Sequence, residues 1–256
     1  MRTPFLAALA ALALVACNPA KKETASRPPA DATVLYEVDF SSPEHKVGYP
    51  PSVVPEGQEQ KFPSKTPSQI FFGNPTVVEK LCGLDHQPLR LAVENGTQGM
   101  EGLEFLLDQR QAHYHVELDL CISQLGAPAL PAQNVQLAVF LDVAEAYALA
   151  FLADGEIGVI DPNLAPETTA EPKRLDVRWQ NGVPMHLAFD IDFDAQKWQI
   201  GIDGKQVYDG PLQMTIPRAV RLVIRGNAVN EAGVDNVSIW GQRPVQGEFQ
   251  PPKTGE

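Results

Sequence analysis

MHLAFDIDF, residues 185–193, alternates without a break. Met185, Leu187, Phe189, Ile191 and Phe193 fall on one face, and His186, Ala188, Asp190 and Asp192 on the other. Period 2 marks a strand with one face on a core and the other in water. Asp194-Ala195-Gln196-Lys197 then turns the chain into WQIGI (198–202), and after Asp203-Gly204 the chain returns as QVYDGPL (206–212). An Asp-Gly pair provides the positive φ that a tight hairpin turn needs. Residues 185–212 therefore read as three antiparallel strands in sequence order.

The same texture extends outward on both sides. VLYEVDF (34–40), PLRLAV (88–93), GLEFLL (102–107), HYHVELDLC (113–121), NVQLAVFLDV (134–143), YALAFLA (147–153), EIGVI (156–160), RLDVRW (174–179), AVRLVIR (219–225) and GVDNVSIW (233–240) all suit strands. Asp154-Gly155 marks a second hairpin. No stretch carries a long, capped helical period. Many short strands with regular turns predict an all-β sandwich or barrel.

The ends of the chain differ from this middle. Arg2 precedes an apolar run, Phe5 to Val15, shorter than the roughly 20 residues a permanent bilayer span requires. Leu14-Val15-Ala16-Cys17 closes the run and resembles the lipobox of bacterial lipoproteins. The resemblance implies a signal peptide over 1–16 and diacylation and N-acylation of Cys17, with palmitate-type chains as the membrane anchor. Asn18 in place of Asp is compatible with outer-membrane delivery, so the implied address is the bacterial envelope, facing periplasm or cell surface. Residues 17–33 are polar and Pro-rich, a flexible tether, and the tail over 243–256 reads as disordered. A net charge of −12 argues against nucleic acid, whose binders carry a basic face. With Cys17 lipidated, Cys82 and Cys121 are left as a disulfide pair for an oxidising compartment.

Three stretches carry a family resemblance: the first strand ending Val38-Asp39-Phe40, the hairpin WQIGIDGKQVYDG (198–210) and the last strand GVDNVSIWG (233–241). Together they look like the concanavalin A-like jelly rolls, which include laminin-G-type domains, lectins and laminarinase-type glycoside hydrolases. The resemblance implies a two-sheet antiparallel jelly-roll sandwich over 34–242 whose concave side often binds sugar. A one-sheet barrel is the other arrangement open to these strands.

Within HYHVELDLC, alternation places His113, His115, Glu117, Asp119 and Cys121 on one face. In the laminarinase-type hydrolases a Glu-x-Asp pair on such a strand supplies the nucleophile and its orienting Asp, matched here by Glu117 and Asp119. The family's second Glu follows two or three residues later, where this chain has Cys121 and Ile122. Retaining hydrolysis needs two carboxyl groups with separate roles, so the acid/base is missing from the motif. His115, Glu117 and Asp119 also have the chemistry of metal ligands. On one straight strand they spread over roughly 13 Å, too far to meet at one ion.

Asp190, Asp192 and Asp194 imitate the start of a calcium loop, but Ala195 stands where the turn needs Gly, and Gly201 where it needs Glu. The jelly-roll resemblance implies a different position, a structural calcium at Asp39 and Asp235. Trp179 and Trp198 alternate with aliphatic residues and read as core. Tyr208 and Trp240 share faces with polar residues and are the candidate exposed rings for stacking on a sugar. No GxSxG, HExxH, P-loop or GxGxxG signature is present. The expectation is a membrane-anchored envelope lipoprotein with a non-catalytic binding domain, glycan being the candidate ligand. Its ligand face comprises His115, Glu117, Asp119, Tyr208 and Trp240. The alternatives are a divergent laminarinase-type hydrolase and a structural envelope protein that binds another protein.

Overall fold

The computed structural model describes residues 28–41, 45–50, 69–94, 99–107, 110–126, 137–141, 147–161, 172–213, 219–226 and 229–245. The residues expected to form the signal peptide, Cys17, most of those expected to form the tether and residues 246–256 lie outside them. Every regular element among the described residues is a strand: β1 (Thr33–Val38), β2 (Gln69–Phe72), β3 (Thr76–Val77), β4 (Leu89–Val93), β5 (Gly99–Leu106), β6 (Gln111–Leu125), β7 (Leu137–Phe140), β8 (Ala148–Phe151), β9 (Glu156–Ile160), β10 (Lys173–Arg178), β11 (Pro184–Asp192), β12 (Lys197–Ile202), β13 (Lys205–Pro211), β14 (Ala219–Gly226) and β15 (Asn230–Pro244).

They form two antiparallel sheets, so the sandwich and not the barrel is the arrangement adopted. Sheet A runs β13-β12-β11-β6-β15-β4-β3, with β1 also paired to β15; sheet B runs β10-β9-β8-β7-β14-β5-β2. First and last strands thus lie side by side at the centre of sheet A, and most neighbours are distant in sequence. The 185–212 meander folds as read: β11, β12 and β13 are consecutive antiparallel neighbours. Asp203 and Gly204 both have positive φ, at 51° and 72°, the requirement of a type I′ hairpin.

The apolar faces meet between the sheets. From sheet A come Tyr114, Val116, Leu118 and Leu120 of β6 and Leu187, Phe189 and Ile191 of β11; from sheet B come Leu103, Phe105, Val139, Leu149, Phe151, Leu222 and Ile224. Each such side chain contributes about 1.5–3 kcal/mol on burial. The two sheets are also joined through one buried carboxylate. Asp161, which follows β9, accepts from Trp198 Nε1 at 3.0 Å and from Tyr208 Oη at 2.8 Å. Trp179 is core as expected, its indole N–H donating to the Leu152 carbonyl at 2.8 Å.

β15 continues past the boundary expected at 242. Pro244 pairs with Gln111, Val245 donates its amide to the Arg110 carbonyl, and Arg243 forms ion pairs with Asp192 and Asp194. Residues 243–245 are held there by ladder bonds and charge that composition alone does not reveal.

Candidate ligand-binding face of sheet A

The outer face of sheet A takes its character from the register of β6 against β11. His186 stands opposite Asp119, Ala188 opposite Glu117, Asp190 opposite His115 and Asp192 opposite His113. Bases thus face acids at three of four successive outward positions, and cross-strand pairs of opposite charge stabilise the pairing. At the remaining position, between the first two of these pairs, the small Ala188 leaves room, and Glu117 turns to the imidazoles on both sides of it.

The contacts form one chain of side chains. Gln242 donates from Nε2 to Asp31 at 2.9 Å, and its Oε1 lies 3.1 Å from His113 Nδ1. His113 Nε2 is 3.3 Å from Asp190 Oδ1, which also accepts from His115 Nδ1 at 2.7 Å. His115 Nε2 reaches Glu117 Oε1 at 2.8 Å. Glu117 Oε2 lies 3.9 Å from His186 Nε2, and His186 Nδ1 binds Asp119 Oδ1 at 2.8 Å. Asn236 closes the chain by donating to Asp119 Oδ2 at 2.7 Å.

Carboxylates only accept, so His115, bonded to one at each ring nitrogen, is an imidazolium. Burial alone would lower its pKa; the bonds to Asp190 and Glu117 overcome this and raise it to about 9. His186 is raised to about 10, first by its bond to Asp119 and then by Glu117. His113 is raised chiefly by Asp190. In return, although burial opposes it, the bonds from His113 and His115 hold the Asp190 carboxyl well below the usual carboxylate range.

Exposure divides the cluster into a floor and a rim. Glu117 is 3% exposed, sealed between two imidazoles, whereas the side chains of Asp190 and Asp119 remain 43% and 22% exposed. Trp240 pairs with His115 across β15 and β6 and stacks on its ring, with centroids 4.5 Å apart and planes 21° apart. It lies on the expected face but is only 6% exposed, so it supports His115 and presents no open ring. Its indole N–H is buried and meets no acceptor among the described residues.

Tyr208 requires a correction. It was expected on the polar face of β13, yet it is buried in the core against Trp198, ring centroids 5.0 Å apart. The register shifts between Ile200 and Gly201, which pair with Tyr208 and Gln206 respectively. Val207 is therefore the extra residue of a bulge, and a one-residue insertion moves the next side chain to the opposite face. Gly210 completes the pocket, since a Cβ there would fall 2.2 Å from Tyr208 Oη.

Beyond Asp119 the face is covered by the segment between β3 and β4. Cys82 is bridged to Cys121, with Cα atoms 6.2 Å apart, tying that segment to the strand that carries Glu117 and Asp119. Leu81 and Leu84 lie over Gly233, where a Cβ would stand 3.1 and 3.2 Å from their methyl carbons. Asp235, paired with Asp119, is buried close by. Desolvation pushes its carboxyl up to about 6, the amide of Asn236 opposes this, and the charges of Asp39 and Asp119 add to the rise. The charge of Asp39 thus reaches Asp235. Yet no three His, Cys, Asp or Glu side chains among the described residues converge as metal ligands.

Register thus brings His115, Glu117, Asp119 and Trp240 together and excludes Tyr208. Sequence reasoning missed Asn236 and Gln242. Asn236 owes its place to a second bulge, between Asp235 and Ser238, and to a positive φ of 48°. Asn is among the few residues that adopt such a φ readily, which is the one signal the sequence offered.

No family model matches the sequence, and no curated protein is similar to it. Solved structures do resemble the fold. A sialidase superposes with a TM-score of 0.54 at 13% identity, covering 82% of this chain and 19% of the sialidase. An alginate lyase of polysaccharide lyase family 7 gives 0.46 at 12% identity, covering 64% and 81% of the two chains. Lectin I-B4 from Griffonia simplicifolia gives 0.44 at 14% identity, covering 67% and 92%. At such identities the likeness is one of fold, and this chain spans about a fifth of the sialidase's length.

Proposed function

We propose that this chain is a non-catalytic glycan-binding module, held at the bacterial envelope by acyl chains on Cys17, with the outer face of sheet A as its ligand surface. One observation carries the binding reading. Asp119 and Asp190 are partly exposed, and their carboxylates are fixed in orientation by the imidazoles of His186, His115 and His113. Fixed acceptors bind a sugar's hydroxyls without first giving up side-chain entropy.

The cluster is poorly arranged for hydrolysis. General acid catalysis needs a carboxyl that is protonated near the working pH and reaches the leaving group. Asp190 is held ionised, Glu117 is enclosed, and Asp235, whose pKa does rise, is 1% exposed. Calcium at Asp39 and Asp235 is not part of the proposal. The anchor rests on Leu14-Val15-Ala16-Cys17, and several acyl chains on one residue make a lasting attachment.

Affinity electrophoresis against a panel of polysaccharides, with reducing-sugar release followed in parallel, tests the binding domain. Retardation without release supports the reading. Release of sugar would overturn the non-catalytic part, and silence across the panel would favour an envelope protein with a protein partner. Incorporation of labelled palmitate into the full-length chain, lost in Cys17→Ser, tests the anchor.

A further inference from the structure

We propose that this face selects glycans that donate hydrogen bonds and carry no negative charge, namely neutral oligosaccharides and amino sugars, not uronates, sialates or sulfated chains. The inference rests on the glycan-binding reading above and adds the ligand's chemical class.

It follows from where the protons of the face point. Both N–H groups of His115 are directed inward, to Asp190 and Glu117. His186 spends one on Asp119 and turns the other to Glu117. His113 lies between Gln242 and Asp190. Each amide spends one of its two N–H groups as well, Asn236 on Asp119 and Gln242 on Asp31. Two cations at the rim are likewise paired, Lys197 with Asp209 at 2.7 Å and Arg243 with Asp192 and Asp194.

What the face leaves for a ligand is acceptors. Both imidazole contacts to Asp190 fall on Oδ1, and an ionised carboxylate has about four acceptor positions over its two oxygens. Asp190 and Asp119 are also the more exposed carboxylates of the cluster. The Trp240 indole N–H also meets no acceptor among the described residues, but it is buried and does not meet a ligand arriving from solvent.

A hydroxyl or ammonium group donates directly to Asp190 and Asp119. An acidic sugar finds only the second N–H of each amide in the cluster, and to gain a charged donor it must draw an imidazolium away from its carboxylate while lying against two carboxylates. The chain's net charge of −12 adds a repulsive field at long range. Likeness of fold to a sialidase and an alginate lyase therefore does not carry over to ligand charge.

The test is calorimetric titration of the full chain, purified in detergent micelles, with four probes of matched length. These are a laminarin oligosaccharide, a chitosan oligosaccharide, an alginate oligosaccharide and an oligosialic acid. The neutral or amino probe should bind at least about tenfold more tightly than either acidic one, as expected when charge-assisted hydrogen bonds are exchanged for like-charge contact. Affinity for the amino probe should fall with added salt, and that for the neutral probe should not. Asp190→Asn should weaken the amino probe by about tenfold or more. Equal or tighter binding of an acidic probe overturns the charge selection and leaves glycan binding standing. Binding of none of the four removes the glycan reading, and this inference falls with it.

Discussion

Raising the pH should loosen the protein, and His115 should account for a definable part of the loss. Its pKa is 6.5 when free and about 9 in the fold, so the folded state holds the proton more tightly than the unfolded chain. The resulting stabilisation is complete below about pH 6.5 and is lost as pH rises through about 9. A rise from 6.5 to about 9 corresponds to about 3 kcal/mol at 1.36 kcal/mol per pKa unit. Asp190 is partly in water, so screening brings the expectation to about 1–2 kcal/mol. The perturbation is His115→Gln, which keeps a polar side chain and removes the titration. Urea unfolding of residues 18–256 at pH 6, 7.5 and 9 would give the stability of both proteins. The gap between wild type and variant should be largest at pH 6 and shrink by about 1–2 kcal/mol at pH 9. A gap that stays constant or widens with pH would show that His115 is not held as an imidazolium and would refute the reasoning.

Further outcomes follow from other parts of the structure. Tyr208→Phe removes a donor to the buried Asp161 and should cost about 1–3 kcal/mol in unfolding measurements; retention of any bound polysaccharide should be unaltered, because Tyr208 faces the core. Gly210→Ala places a methyl group on the Tyr208 ring and should lower stability by about 1–3 kcal/mol, a loss that pairing with Tyr208→Ala should partly restore. The denatured, unreduced chain should show no alkylation at Cys82 and Cys121 by mass spectrometry, and Cys82→Ser with Cys121→Ser should cost about 2–4 kcal/mol. On sheet B, Arg221→Ala leaves Glu104 buried without its partner of 2.7 Å and should cost about 3–5 kcal/mol, whereas replacing both with apolar residues of similar volume should cost far less.

Much of the fold was legible because its central strands alternate strictly. β11 buries Met185, Leu187, Phe189 and Ile191 in the order its period demands, and Asp203-Gly204 fixed the hairpin that follows. The face of Glu117 and Asp119 was equally legible from β6. The neighbour across from it was not, because the pairing of β6 with β11 joins residues more than sixty apart. Only with that register does the spacing of His186, Asp190 and Asp192 match Asp119, His115 and His113. Tyr208 and Asn236 were misread or missed for a shared reason. Each lies at a bulge, where one inserted residue reverses the alternation that sequence reading extends straight through. Trp240 was placed on the correct face, but its exposure depended on His115 stacking against it, a packing fact with no local signature.

The central claim is that the imidazole–carboxylate cluster of sheet A is the ligand surface. It is tested most directly by heteronuclear NMR of the histidine rings and the Asn236 side-chain amide during titration with whichever glycan the electrophoresis retains. The account predicts that the signals of His113, His115, His186 and Asn236 move together and saturate at the same glycan concentration as the retardation. Saturable binding that leaves all four unmoved and shifts residues of sheet B instead would contradict it.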